Sequence, residues 1–506
     1  MRTRTLLPLL PILAAASLLA CEKDPAGPGK LPETLPFTFT RVDLDDPPTL
    51  AERDAFTRKL TGFLKDVDYF RWLTWISHGL HRSYDPTMPD YILWWQDTRA
   101  LKSGDTVTFQ HRGGADNIMI RTPKVLTQAA AGFMASGDPT MRELVIGYCK
   151  GIVALFQGML WGNETDPTES IMARAIFTHN HAYETADGRK VAVDYDPAKA
   201  ESYDWNAHTV PNPANPYFGD IWVRNMRSKD DVPYLFRVVP VLQRVAQDAT
   251  DLEVQEAAAA AVEHLQAFAK DIVDSGYRIR SREDGETFTP EEDLASFVKF
   301  DELLKDAECD PKLTAGLIAY GDPLGIDCGP GIQADYETVA TSGHYYNYAI
   351  IHYFHLSALV NALVTRHDDV ARALLDGLVT RVDNLMDNDL RRSQHREWDA
   401  DLAAYLFASG ASGLPLTARE ARLIQTKYSA AVDHYVTWDH WDLWDVSVPD
   451  GDYDFLPPED TADATPVRHI LPEELAYPLE YCASAWRNPA GVDPVDCELV
   501  LDPSAW

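Results

Sequence analysis

Pairs of amphipathic segments recur along this chain, joined by short turns and separated by much longer connections, and few folds accommodate that rhythm. Val254, Ala258, Val262, Leu265, Phe268 and Ile272 fall at three- and four-residue steps, as do Val370, Leu374, Leu378, Val382 and Leu385. That spacing puts apolar side chains on one face of a helix. A helix near 124–135 turns at Ser136-Gly137-Asp138-Pro139 into one running to about residue 160. A second pair, about 232–246 and 252–274, turns at Gln247-Asp248-Ala249-Thr250. A third, about 336–365 and 369–386, turns at Arg366-His367-Asp368, and a fourth, about 399–408 and 418–436, turns through 409–416. Each turn offers an acid or a Ser/Thr to cap the helix that follows.

The connections from about 161 to 231 and from about 275 to 335 are long and hold many of the Gly, Pro, Asn, His and Trp residues. Short turns at one end and long connections at the other are expected of stacked helical hairpins with one bare and one decorated face. Asp116-Asn-Ile-Met-Ile-Arg121 before the first pair is echoed by Asp220-Ile-Trp-Val-Arg224 before the second. With a further helical segment from about Leu50 to Gly79, the pattern predicts an all-α chain, an (α/α) toroid of about five or six helical hairpins. An open helical array is the rival, and strands are expected only in the long connections.

The first residues carry an address. Arg2 and Arg4 precede an apolar stretch, Leu6 to Ala16, interrupted by Pro8 and Pro11. The stretch is shorter than the roughly 20 uninterrupted apolar residues that span a bilayer, so it reads as a secretory signal. The ending Leu18-Leu19-Ala20-Cys21 resembles the lipobox of bacterial lipoproteins. That resemblance implies cleavage before Cys21, a diacylglyceryl group and palmitate on that cysteine, and a lipid-anchored protein of the bacterial cell envelope. Glu22, where Asp would mark retention, points to the outer membrane. The six prolines of 22–48 describe an extended tether of about 3 Å per residue. The predicted layout is thus a signal over 1–20, a Pro-rich tether over 21–49, a toroid body over 50–437 and an acidic, Trp-rich C-terminal wrap over 438–506.

Charge narrows the partners. Lys and Arg number 45 against 78 Asp and Glu, a formal charge of −33. Nucleic-acid backbones are excluded, because phosphate binding draws its affinity from clustered cations. Polyanionic glycans are disfavoured on the same ground. The cysteines fit an oxidising compartment: Cys309 with Cys328 and Cys482 with Cys497 are spaced to close loops worth about 3 kcal/mol each. Cys149, inside the helical run Ile-Gly-Tyr-Cys-Lys-Gly-Ile, is expected to be a buried free thiol. No C-x-x-C spacing supports zinc.

Two clusters carry residue types able to do chemistry. In Gly343 to His355, the side chains of His344, Tyr348, His352 and His355 fall within about 80° of arc on one helix face. His344 and Tyr348 are candidates for acid–base work or for hydrogen bonding to a sugar, and mutual packing inside a ring is the structural alternative. The 161–231 connection holds His179, Asn180, His181, Tyr183 and Glu184, then Trp205, Trp222, Arg224, Arg227, Asp230 and Asp231. Flat aromatics to stack on sugar rings and polar groups to bind hydroxyls are what a carbohydrate site needs. Arginines paired to local Asp, with Trp packed under the loop, are the alternative. Asp450-Gly451-Asp452-Tyr453-Asp454 resembles the first half of a calcium loop, so Asp450, Asp452 and Asp454 are candidate calcium ligands. However, Phe455 stands at the turn glycine and no Glu fills the twelfth position. No other cofactor is expected, since phosphate-cradling, nucleophile-elbow, zincin and dinucleotide motifs are missing from the sequence.

The decorated hairpins resemble (α/α) toroid glycoside hydrolases and polysaccharide lyases. That resemblance implies a carbohydrate-active or glycan-binding protein with His344, Tyr348, His179, Arg227, Asp230 and Glu337 as catalytic candidates. Trp205, Trp222, Asn180 and His181 would then be ligand-binding candidates. Hydrolysis would require two carboxylates about 5 to 10 Å apart. The alternative is a non-catalytic interaction or scaffold lipoprotein, because fold does not decide function.

Overall fold

The computed structural model describes residues 46–71, 73–74, 91–93, 98–111, 118–165, 171–177, 181–184, 188–194, 209–225, 235–274, 278–280, 282–283, 286–287, 292–293, 403, 406–433, 443–454 and 477–505. All belong to the second of two units into which the chain divides, Thr40–Trp506.

Two helical hairpins form its centre. Helices α2 (Ile118–Ser136) and α3 (Pro139–Gln157) turn through Gly137, whose φ of 66° suits a residue without Cβ. Asp138 then caps α3, accepting from the backbone N–H groups of Thr140 at 2.8 Å and Met141 at 3.0 Å, with Pro139 in the first helical turn. Helices α4 (Val239–Asp248) and α5 (Leu252–Asp274) make the second hairpin, and Asp251 caps α5 through the N–H groups of Glu253 and Val254. These are the first two helix pairs that the apolar spacing predicts.

Their packing differs from a ring. Helix α3 lies against both α2 and α5, and α4 lies against both α5 and α2, so the two hairpins face one another around a shared core. Phe156 of α3 meets His264 and Phe268 of α5 at 5.0 and 5.9 Å between ring centroids. The expected toroid is corrected: among the described residues no ring of hairpins is indicated, the two hairpins pack on each other, and two sheets stand beside them. On α3, Gly147 and Gly151 leave room for residues 91–93, and a Cβ at Gly151 would collide with the carbonyl oxygen of Ile92. Helix α1 (Leu50–Asp66) packs on α6 (Ala418–Asp433). The third predicted pair lies outside the described residues.

The all-α expectation is corrected as well, because much of the described connecting chain pairs into sheets. A five-stranded sheet has the order β12-β1-β2-β5-β4, built from β1 (Thr98–Ser103), β2 (Thr106–His111), β4 (His181–Glu184), β5 (Lys190–Asp194) and β12 (Gly451–Asp454). Only the β2–β5 pair is parallel. A three-stranded antiparallel sheet runs β3-β7-β6, from β3 (Ala173–Phe177), β6 (Thr209–Asn215) and β7 (Gly219–Asn225). Two short pairs join β8 (Arg278–Ile279) to β11 (Glu292–Asp293) and β9 (Arg282–Glu283) to β10 (Glu286–Thr287). The physical reason lies in local sequence: Thr-Val-Thr-Phe, Lys-Val-Ala-Val-Asp and Gly-Asp-Ile-Trp-Val-Arg-Asn alternate at period two and are rich in β-branched residues. Inner positions Ala100, Val107, Val191, Ile221 and Val223 are buried, as that period requires.

The C-terminal segment is part of the core. Helix α7 (Tyr477–Ala483) is buried throughout and packs on α2 and α4, while α8 (Cys497–Val500) packs on α1. The disulfide Cys482–Cys497 joins the two helices, and Cys149 is a buried free thiol whose burial raises its pKa. Between α7 and α8, Val492 N–H donates to the Leu416 carbonyl at 2.8 Å, Gln425 Nε2 to the Pro494 carbonyl at 2.7 Å, and Asp496 N–H to Thr57 Oγ1 at 2.9 Å. One segment thereby fastens helices drawn from both ends of the chain.

Candidate functional site

The sequence-derived candidates are only partly in view. His344, Tyr348, His179, Arg227, Asp230, Glu337, Trp205 and Asn180 lie outside the described residues, as do Cys21, Cys309 and Cys328. Trp222 stands on β7, half-buried against the core, opposite Phe177 of β3 and Pro211 of β6. His181 belongs to β4, opposite Val193, and so to the other sheet. Residues 178–180 follow the Phe177 end of β3 and 226–234 follow the Asn225 end of β7. Because β3 and β7 run antiparallel, with Ala173 opposite Asn225 and Phe177 opposite Trp222, Phe177 and Asn225 stand at opposite ends of their pairing. The candidate calcium residues lie at a strand: Asp450 accepts from Gly104 N–H at 2.9 Å, Asp452 pairs with Leu101 and Asp454 with Arg99 in backbone register. Among the described residues, no group of three or more His, Cys, Asp or Glu gathers to hold a metal ion.

A polar and aromatic rim that the sequence reading passed over forms where α3 ends. The last carbonyls of a helix need donors. Here Asn212 Nδ2 donates to the Gly158 and Leu160 carbonyls at 3.1 and 2.8 Å, and Asn215 Nδ2 to that of Gln157 at 2.9 Å. Both asparagines are buried and come from β6. Arg282 adds a bond to the Met159 carbonyl at 2.8 Å and grips Glu164 with two more, at 2.5 and 2.6 Å. Its guanidinium lies 5.0 Å from the ring centroid of half-buried Trp161. Glu164 also accepts from Trp161 N–H at 2.9 Å. The Arg282 bonds hold the Glu164 carboxyl below the ordinary range, so it stays ionised. Tyr217, in the β6–β7 turn, is half-buried and donates its hydroxyl to the Thr165 carbonyl at 3.2 Å. Gly162 N–H donates to the Ala214 carbonyl at 3.0 Å, tying the 161–165 turn to the hairpin. Trp161-Gly-Asn-Glu164 and Asn212-Pro-Ala-Asn215 are visible in the sequence, but nothing local announces that distant Arg282 joins them.

A second cluster is internal. Arg237, just before α4, donates to both Glu480 oxygens at 3.2 and 2.6 Å and to Tyr477 Oη at 3.2 Å, and lies 4.4 Å from the Tyr477 ring centroid. Lys124 Nζ of α2 lies 5.9 Å from the centroid of the same Tyr477 ring. Arg237 and Glu480 side chains are each 1% exposed. Burial works against both charges. For Arg237 the attraction of Glu480 prevails and raises its pKa, so the guanidinium remains charged. Sealed from solvent, this group is a structural tie.

Chemically, the described carboxylates that touch arginine act as anchors. Asp251 and Glu253 hold Arg142 at 2.7 Å each, Asp271 holds Arg280 at 2.5 Å and Asp493 holds Arg487 at 3.1 Å. For Asp251 and Glu253 the Arg142 hydrogen bonds hold the carboxyls below their ordinary range, and such a carboxylate accepts hydrogen bonds well and delivers a proton poorly. Comparisons with protein-family models, curated proteins and solved structures find no match for the chain. No described helix is long and apolar enough to cross a membrane.

Proposed function

We propose that this chain is an exported lipoprotein, anchored through Cys21 to the bacterial cell envelope, at its outer membrane, whose body binds neutral or weakly charged glycans without cleaving them. The observation that carries the binding reading is that part of the Trp-rich connection is built into a sheet. Half-exposed aromatic groups, Trp161, Tyr217 and Trp222, are held on backbone fixed by helix-end and strand hydrogen bonds. Rigid aromatic surface binds with little loss of conformational entropy. The carboxylate bonded to the Trp161 backbone, Glu164, is locked by Arg282, which favours a binding role over acid catalysis. The lipobox residues Leu18 to Cys21 support the anchor, and the Cys482–Cys497 bridge fits an oxidising compartment.

Cell fractionation and a glycan panel test the two halves together. Palmitate labelling should depend on Cys21 and vanish in Cys21→Ala, and the intact protein should retain neutral oligosaccharides without releasing shorter products. Palmitate that persists in the variant contradicts the anchor. Product release contradicts the non-cleaving role, and a panel with no binding removes the glycan reading in favour of a scaffold.

A further inference from the structure

We infer that the rim formed by Trp161, Glu164 and Tyr217 is the seat of a neutral sugar ring, with Arg282 as the positioning residue beneath it. The inference rests on the glycan reading above and gives it a place. An ionised carboxylate has about four lone-pair positions for donors. Arg282 and the Trp161 N–H fill three on Glu164, and the side chain is 42% exposed. One acceptor position therefore remains on a partly exposed carboxylate that is bonded to the backbone of half-exposed Trp161 and followed in sequence by Thr165, the residue that holds half-exposed Tyr217. A hydroxyl with the apolar face of a pyranose needs such groups together. The rim is preorganised: the Arg282 guanidinium lies over Trp161, the Tyr217 hydroxyl is bonded to Thr165, and Gly162 is bonded to Ala214. Ordering of loose side chains is thus no large cost of binding.

The same geometry selects the charge of the ligand. Arg282 is buried and its charge is met by Glu164, so the rim presents a carboxylate and no exposed guanidinium. On a chain of formal charge −33, such a rim repels uronates and accepts uncharged hydroxyls. Glu164 is clamped as an anion, so it holds the sugar and does not protonate a glycosidic oxygen.

The test is hydrogen exchange and calorimetry on the detergent-solubilised full-length protein, with cellohexaose, maltohexaose and mannohexaose as neutral probes and hexagalacturonate as the acidic one. A neutral probe should bind and slow exchange in peptides covering 159–165 and 214–218, and hexagalacturonate should not. Trp161→Ala should weaken that binding about tenfold or more, with Trp161→Phe recovering part of it. Neutral-probe binding that leaves both peptides unprotected overturns the rim while leaving the broader glycan reading standing, whereas preference for hexagalacturonate overturns the rim and the neutral-ligand reading together. Failure of every probe to bind overturns both. The exchange measurement needs no variant, so it decides the matter even if Trp161→Ala does not fold.

Discussion

Arg237 and Glu480 sit 243 residues apart in sequence and share one sealed pocket, where each is the main answer to the other's charge and Lys124 adds a weaker attraction on Glu480. Arg237→Ala would strand a carboxylate in the core, and the expected loss is about 3–5 kcal/mol. The double change Arg237→Met with Glu480→Leu should cost far less, since it removes both charges and keeps volume. Urea midpoints of the wild type, the single and the double variants check this, and equal losses in the two variants would refute it. Little of such chemistry was legible in the sequence. Trp222 stands out in the sequence as an aromatic of the long connection, whereas Trp161, Glu164 and Arg282 do not, because their grouping depends on which strands pair. Cys482 with Cys497 was legible, since a short loop between two cysteines limits the geometry.

Elements divide by the reach of the forces that build them. The helices α2 to α5 were legible because period, cap and turn residues act within a few positions: Gly137 and Asp138 end one helix and begin the next. The five-stranded sheet was illegible as a sheet, since β2 and β5 are joined side by side across a helical hairpin and two strands. The tip of α1 shows a local device with a remote clamp. Thr49 and Glu52 cap each other, and Arg422 of α6 holds Glu52 at 2.9 Å while bonding the carbonyls of Asp46 and Pro47. The Arg422 bond, then those of Thr49, lowers the Glu52 pKa from 4.5 to about 2. A depressed carboxyl contributes stability that is present above its unfolded pKa and is lost as pH falls through the folded one. Thermal melts should therefore show Glu52→Gln less stable than wild type at pH 6, with the gap closing between pH 4.5 and 2. A gap independent of pH would refute the assignment.

For the whole molecule, the C-terminal segment acts as a strap whose two helices are held together by one covalent bond. Closing a 15-residue loop is worth about 3 kcal/mol, chiefly by restricting the unfolded chain. Cys482→Ser with Cys497→Ser should lower the stability of the described core by about that amount. Denaturant curves of the variant and of the oxidised parent measure it, and a loss near zero would place the strap's hold in packing alone. The strap and strand β12 also impose an order of birth. The backbone N–H of Gly104 waits for the side chain of Asp450, 346 residues later, and β1 keeps an open edge until Gly451–Asp454 arrives beside it. Emerging from the ribosome, the chain carries that unfinished seam through 346 residues of synthesis. If it passes through a secretion channel as proposed, the sheet stays unfinished until Gly451–Asp454 have been made.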